Sequence, residues 1–597
     1  MGLFAQTPLL LNKFYYDDDS TLFFPVIFNL HPDIFHEPFI TKCISLVLLY
    51  GSYSLYSIST YLLEAIGIQY ALPFATKIIP IAVFTLTGYL AFKLGKELYS
   101  EKTAFYFSLI FLLLIQSDHL YSAAVGRSTG FLWTLMALLS AYRKKTAGLF
   151  ATFLLTGLFY PLVTPVLGLL LFASWLWSIA KDEEPYPTFR ILPLLAIAAA
   201  IPVFFAFYET HLLNIKWLPY DVLLKMPENG PNGRFNLSFL MSLNLDNIAS
   251  IKWWYSQLFA IHNLKSASWI LAANWVILIS IAALCALVFI PTLRKRTPII
   301  KSGIRSETAV KLIAVSFVAL FVLNRAGAFG TNLAVIYFYI LTALWLALCN
   351  SFTQRPLDRK IKLLALMGII VFFLIFLSYQ FFSYRSGEAR RALYYSLPLP
   401  LCFFIAIRIE PFLAMLSGKY KRILIAAVAA FLLLYFATFS FNVEKLTNEG
   451  IIEVAEKAPK DYRLVLHPRT ADAVRFFAKR WVLAGWEHSY PINEPYWSLQ
   501  KSYLLWNISG YYAVDADEVS ALCQRWNKTI FLIEYDKFAP DRILYHQNIM
   551  EPFDNEIRER YKHGFFFEKL PAIAIETPFP GGFSTSCQKL KQTGAIQ

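Results

Sequence analysis

The feature that most limits what this chain can become is a succession of apolar segments between residues 40 and 441. They lie near 40–62, 75–93, 103–117, 123–142, 147–160, 162–180, 191–209, 269–293, 308–324, 329–349, 363–383, 392–408 and 423–441. A helix of about 20 apolar residues crosses the hydrocarbon of a bilayer. Backbone in lipid must satisfy its own hydrogen bonds, so segments of this length dictate helices. The run 147–180 is continuous in composition, and Pro161 and Pro165 split it into a tight re-entry. Composition agrees: 57% of residues are hydrophobic and 16% charged, against about 25% charged in an ordinary soluble domain. The expected fold is a polytopic α-helical membrane protein of about 12 transmembrane helices, with a small C-terminal extracytoplasmic α/β domain.

The net charge is +14. On a soluble chain that would point to nucleic acid, but no zinc finger, RNA-binding signature or basic heptad accompanies it. Cationic loops against anionic lipid give the same sum, so the lipid bilayer is the expected partner. Basic clusters occur at Lys93/Lys96/Lys102, Arg143-Lys144-Lys145, Arg294-Lys295-Arg296, Arg355/Arg359/Lys360/Lys362 and Lys419/Lys421/Arg422. Placing all of them in the cytoplasm fits the segment count from residue 75 onward. The loop 210–268 and the tail after 441 then face outward, as in a multi-pass protein of a bacterial inner membrane. The segment 40–62 leaves one choice. If it spans, residues 1–38 are cytoplasmic. If it is a juxtamembrane or re-entrant helix, they face outward. Its many Tyr and Ser residues favour the second.

Three regions follow: an acidic and aromatic N-terminal loop with short interfacial helices (1–39), a transmembrane domain (40–441) and a soluble α/β domain (442–597). No signal peptide is expected, since Thr7–Leu11 is too short for its apolar part. Met226–Gly233 is a turn cluster and Ile251–Phe259 an interfacial aromatic helix. In the tail, Arg463–Leu466 and Thr529–Ile533 read as strands, Thr470–Phe477 and Ala516–Arg525 as helices. The stretch His467–Leu483 reads as a packed strand–helix–strand unit with no nucleophile–base pair. The six Cys include no CxxC, which argues against a structural zinc site. If the tail is extracytoplasmic, Cys523 and Cys587 are candidates for a disulfide. Asn236-Leu-Ser, Asn507-Ile-Ser and Asn527-Lys-Thr match the glycosylation sequon.

Three groups of residues could carry chemistry. Asp17, Asp18 and Asp19 could act as a general base or ligate Mg²⁺ or Mn²⁺, which prefer carboxylate oxygens. Three consecutive acids cannot all face one site, so Asp18 or Asp19 is the expected actor. Arg127, Arg325, Arg385, Arg390 and Arg391 fall on the outward side, where the orientation rule disfavours them. One alternative is snorkelling to headgroups, or pairing with Glu388. The other is a lipid-linked phosphate gripped by forked guanidiniums. His36-Glu37 and Asp118-His119 are accessory candidates for metal ligation or proton transfer.

This layout resembles the GT-C superfamily of polytopic glycosyltransferases, which includes protein mannosyltransferases, the aminoarabinose transferase of lipid A and oligosaccharyltransferases. The resemblance rests on the acidic run Asp17–Asp19, on Lys93-Leu-Gly-Lys-Glu-Leu-Tyr99 leading into an apolar helix, on the outward turn Gly126-Arg-Ser128, and on the soluble tail. It implies that Asp17–Asp19 are catalytic acids and that the arginines bind a polyprenyl-phosphate-linked sugar. The tail would then help hold an acceptor of unknown identity. Two departures stand against it. No spanning helix precedes the acidic loop, and Ser128-Thr129 stand where the family often has an acid. Two other readings stay open: a non-catalytic assembly subunit, and a transporter or flippase of a lipid-linked anionic substrate. A transporter should show inverted repeats, and none is evident.

Overall fold

The computed structural model describes residues 15–16, 23–32, 50–116, 126–160, most of 163–172, 214–229, 444–445, 449–486, 493–545 and 551–597, with isolated positions that include Tyr395, Leu399, Cys402, Phe403 and Ala406. Most of the expected spanning segments after residue 172, and the helix at 251–259, lie outside the described residues.

The N-terminal part is helical. Pro25 stands in the first turn of α1 (Phe24–Leu30), where a missing N–H is harmless. Helix α2 (Tyr50–Ala65) has two faces. Tyr56 and Thr60 are buried, while Ile58, Tyr61, Leu62 and, just beyond the helix, Ile66 stand exposed. Helix α3 (Ala71–Leu98) has 28 residues, a length of about 42 Å at 1.5 Å per residue. Among the described residues it is the one helix long and apolar enough to cross a membrane. It starts before the apolar window at 75–93 because Leu72, Pro73 and Phe74 extend the run toward the N-terminus.

Helix α4 (Glu101–Gln116) packs against α3, and α5 (Gly130–Tyr142) packs against both α3 and α6 (Thr146–Phe159), which in turn meets α2. The α3–α4 hairpin is close at Gly95, where a Cβ would come 2.8 Å from the Ala104 Cα. Phenylalanines fill the interior: Phe107 stacks on Phe403 at 3.6 Å and Phe111 meets Phe131 edge-on at 5.0 Å. The α5–α6 turn holds Arg143-Lys144-Lys145, with Lys144 left-handed at φ 54°. Arg143 forms an ion pair with Glu97 at the C-terminal end of α3. One end of the helix cluster is thus the basic turn.

The tail builds a mixed sheet. Helix α7 (Glu449–Lys457) precedes strand β1 (Arg463–Val465), and α8 (Pro468–Ala478) follows it. Val482 then makes an isolated parallel bridge to Leu464, so the strand and helix expected here form, and a single bridge stands where the second strand was expected. Helices α9 (Tyr496–Tyr511) and α10 (Ala516–Arg525) lead to strand β2 (Thr529–Glu534). After α11 (Phe553–Tyr561) come β3 (Thr577–Phe579), β4 (Gly582–Ser586) and α12 (Cys587–Gln592). The order is β1-β2-β4-β3, with β1 and β2 parallel and the other pairs antiparallel. Its core joins Leu464, Val474, Phe476, Leu504, Phe531 and Phe583. Cys523 in α10 is disulfide-bonded to Cys587 in α12, with Cα atoms 5.6 Å apart and both side chains buried.

Candidate functional site

Three contacts stitch the N-terminal half to the tail. Tyr15 and Tyr16 pair antiparallel with Lys445 and Glu444. Lys216 and Trp217 pair antiparallel with Glu494 and Asn493. Phe23, Val26 and Ile27 of the α1 region, Tyr56 of α2 and Leu72 and Ala75 of α3 enter the same apolar core as the tail. Phe23 lies 4.2 Å from the Tyr56 ring. Apolar burial of this kind stabilises by about 1.5–3 kcal/mol per large side chain, so the docking is a core and not a surface touch.

Polar groups complete the seam. Tyr70, just before α3, donates to Glu456 Oε1 at 2.5 Å, and its ring meets Phe477 at 6.3 Å. Burial and the Glu456 carboxylate push the Tyr70 phenol above its ordinary range. Glu64 near the end of α2 accepts from Lys479 Nζ at 2.5 Å and pairs with His31 Nε2 at 3.1 Å. Burial opposes its ionisation, but the Lys479 and His31 partners outweigh that and hold it below the usual carboxylate range. Lys479 ends α8 in the left-handed conformation, φ 51°. Further along, Glu228 is 1% exposed and pairs with Lys501 at 2.5 Å. Asn229 donates to the Pro491 carbonyl at 2.9 Å. The tail therefore covers the end of the helix cluster opposite Arg143–Lys145.

The turn that carries Arg127 is a 3-10 segment, Gly126–Thr129, leading into α5. Thr129 Oγ1 accepts from Trp133 Nε1 at 2.9 Å, which fixes the turn to the helix. Gly130 lies under the Tyr395 ring, where a Cβ would collide with it. Tyr395 also meets Phe131 at 5.1 Å and Tyr160 at 5.3 Å. Tyr395 stands four residues after Arg391 in the sequence. The fold thus brings the Arg127 turn beside the segment that follows Arg385–Arg391. Gly51 of α2 approaches Leu158 and Phe159 at the end of α6. That puts α2 at the tail end of the cluster too.

The interior of the tail holds ionisable groups of another kind. His467 caps α8, its Nδ1 accepting from the Arg469 N–H. Burial and the charges of Lys537, Arg469 and Arg542 hold it well below its ordinary value, so it is neutral. Glu534 ends β2, and burial raises its carboxyl despite Lys537 and the Thr470 hydroxyl at 2.7 Å. These groups fasten β1 and β2 to α8 and α9.

Asp17, Asp18, Asp19, His36, Glu37, Asp118, His119, Arg325, Arg385, Arg390 and Arg391 lie outside the described residues, and Arg127 is placed through its backbone. Among the described residues, no group of three or more His, Cys, Asp or Glu is arranged to hold a metal. The contacts that fix the geometry (Glu64–Lys479, Glu228–Lys501, Gly130–Tyr395) leave no signature in the sequence. Each joins residues hundreds apart or with no local pattern.

No protein-family profile and no curated protein matches the chain. Solved structures that are similar to it include an oligosaccharyltransferase of Archaeoglobus fulgidus in complex with Zn and sulfate. That pair shares 12% identity, with a TM-score of 0.40 and coverage of 83% of this chain and 60% of the other. Another is the archaeal oligosaccharyltransferase AglB of the same organism with an inhibitory peptide and a dolichol-phosphate: 12% identity, TM-score 0.41, 89% and 67% coverage. A third is the Archaeoglobus fulgidus enzyme tethered to an acceptor peptide with an NVT sequon: 10% identity, TM-score 0.37, 85% and 63% coverage. The chain spans about 60% of the length of the first of these. Likeness at this level assigns neither a fold nor an activity.

Proposed function

We propose that this chain is a membrane glycosyltransferase that moves a sugar from a polyprenyl-phosphate donor to an extracytoplasmic acceptor. The observation that carries the reading is the ladder between Tyr15–Tyr16 and Glu444–Lys445, with Phe23 buried in the core shared with the tail. Asp17–Asp19 lie between these two anchors in sequence. Both anchors are on the tail side of α3, as is the Arg127 turn.

The outward placement of that side has two supports. Basic residues concentrate at the opposite end of α3–α6, as cytoplasmic turns do. The buried disulfide suits an oxidising compartment. The exposed apolar stripe of α2 suits a helix lying in the membrane interface with its other face on α1 and the tail. The regions are then an outward loop (1–39), a transmembrane domain (40–441) and an outward tail (442–597).

In this reading Asp18 or Asp19 takes the proton of the acceptor hydroxyl or amine. The acceptor bonds to the anomeric carbon as the bond from that carbon to the phosphate oxygen breaks. Arg127, Arg325, Arg385, Arg390 and Arg391 hold the departing lipid phosphate and its growing charge. Asp18 and Asp19 are also the residues that would hold Mg²⁺ or Mn²⁺, whose charge would act on the donor phosphate. His36, Glu37, Asp118 and His119 are accessory proton carriers. The test is transfer of labelled sugar from a polyprenyl-phosphate donor in membranes. Asp18→Asn with Asp19→Asn should abolish transfer while folded protein persists. Full activity in the double variant would remove these acids and favour the assembly-subunit reading. A cysteine at Ser20 should react with impermeant reagent from the outer side, and reaction only from the cytoplasm would overturn the placement.

A further inference from the structure

We infer that the tail is itself glycosylated, at Asn527. The chain has three sequons, and the fold separates two of them. Asn507 is 0% exposed within α9, and its side-chain amide donates to the Leu466 carbonyl at 2.8 Å. A glycan there would have to occupy the core. Asn236 lies outside the described residues. Asn527 is exposed, at the apex of the short bend between α10 and β2. The bend is fastened on both sides. The Trp526 N–H closes α10 onto the Leu522 carbonyl at 2.9 Å, and the Lys528 carbonyl accepts from the Arg463 N–H at 2.9 Å. Lys528 also pairs with Asp461 at 2.5 Å. A sequon asparagine on a surface turn is the ordinary acceptor geometry in an exported domain.

A second observation marks the same spot. Trp526, Trp506 and Tyr503 form a half-buried aromatic platform around the bend. Trp506 meets Trp526 at 5.9 Å and Tyr503 meets it at 6.0 Å. Arg525 lies 5.0 Å over both Trp rings, and Arg463 lies 3.8 Å over Trp481 and 5.5 Å over Trp526. Large half-buried aromatic rings give the apolar face of a sugar ring something to lie on. A glycan rooted at Asn527 starts next to that platform.

The step balances as a group transfer from a lipid-phosphate-linked saccharide on the outer side of the membrane. The Asn527 amide nitrogen bonds to the anomeric carbon, and the bond from that carbon to the phosphate oxygen breaks. The lipid phosphate leaves with the electron pair, and the amide proton passes to a base. Thr529 is fully buried and its hydroxyl donates to the Trp526 carbonyl at 2.6 Å. Transfer therefore precedes the closing of the bend that buries the Thr529 hydroxyl.

The proposal rests on the outward placement of the tail, and one experiment separates the two. The full-length protein is purified from its native membrane, digested without reduction and read by peptide mass spectrometry. The Asn527 peptide should carry a saccharide mass that disappears in Asn527→Gln and persists in Thr529→Ser, while the Asn507 peptide stays bare. A bare Asn527 peptide in the whole population, beside an intact Cys523–Cys587 crosslink, overturns the glycosylation and leaves the placement standing. Free thiols at both cysteines would overturn the placement and the glycosylation together.

Discussion

The helix cluster and the tail satisfy their hydroxyls and other polar groups in different ways. In α3, α5 and α6 the hydroxyls turn back on their own helix. Thr85 donates to Ile81, Thr87 to Val83, Thr134 to Gly130, Thr152 to Gly148 and Thr156 to Thr152, at 2.6–2.9 Å. Each group is satisfied four residues away, on its own helix. In the tail and its seam, polar groups cross between segments. Thr470 reaches Glu534, Asn507 reaches Leu466, and Glu228 reaches Lys501. The lesson is that these helices keep their threonine hydroxyls on their own turns and associate through Phe, Gly and Ala surfaces, whereas the tail, beside own-helix bonds such as Ser509 to Leu505, adds long-range polar ties.

That contrast can be broken at graded cost. The largest effect should come from Cys523→Ser with Cys587→Ser. The bond closes a loop with a sequence separation of 64, and its loss should destabilise the tail by about 4 kcal/mol on the loop-entropy scale. Hydrogen exchange should show faster opening in α10, β2 and α12 and unchanged protection in α4–α6. Next is Lys501→Met. It leaves the buried Glu228 carboxylate without its partner, a loss of about 3 kcal/mol, read as early proteolysis of the 214–229 loop. Adding Glu228→Gln to it should recover most of that loss.

A matched pair sharpens the comparison at smaller scale. Thr470→Val strips Glu534 of a hydroxyl partner inside the tail and should cost about 1–3 kcal/mol. Thr152→Val removes a hydroxyl whose partner is its own helix, and should stay within about 0.5–1 kcal/mol. Equal losses, measured by thermal or denaturant unfolding, would erase the distinction. The smallest effect is pH-dependent. The folded Glu64 carboxyl lies below its ordinary range, so its contribution is full above the unfolded value and fades as pH falls through the folded one. Acid should therefore loosen α2 from the tail before the rest, and Glu64→Gln should remove that part of the acid sensitivity. The readout is proteolysis of the α2 segment between pH 5 and 2.

These same contacts explain what the sequence made legible. Helix α10 runs over Ala516–Arg525, the span read from the sequence, because Asp515 accepts from the Glu518 N–H at its start and marks the boundary locally. Strands β1 and β2 were visible as short apolar, β-branched runs. Helix α9 was not, because its 16 residues mix Tyr, Trp, Ser and Asn with no single apolar face. Tyr496 and Trp497 are buried near its start, and Tyr511 at its end. The candidate site was legible as residue types, the acids and the outward arginines. Its assembly was not, since the two-residue ladders and the Glu64–Lys479 pair have no local signature.

The ladder of Tyr15–Tyr16 on Glu444–Lys445 also sets an order of events during synthesis. Its first strand leaves the ribosome before any of the candidate membrane segments at 40–441, and its second only after all of them have been made. The acids beside Tyr16 therefore wait, without their final anchor, through most of translation. A chain released before residue 444 would carry every proposed catalytic acid and still lack the strand that positions them. Activity of such a fragment, if it appeared, would have to be restored by supplying the tail as a separate polypeptide.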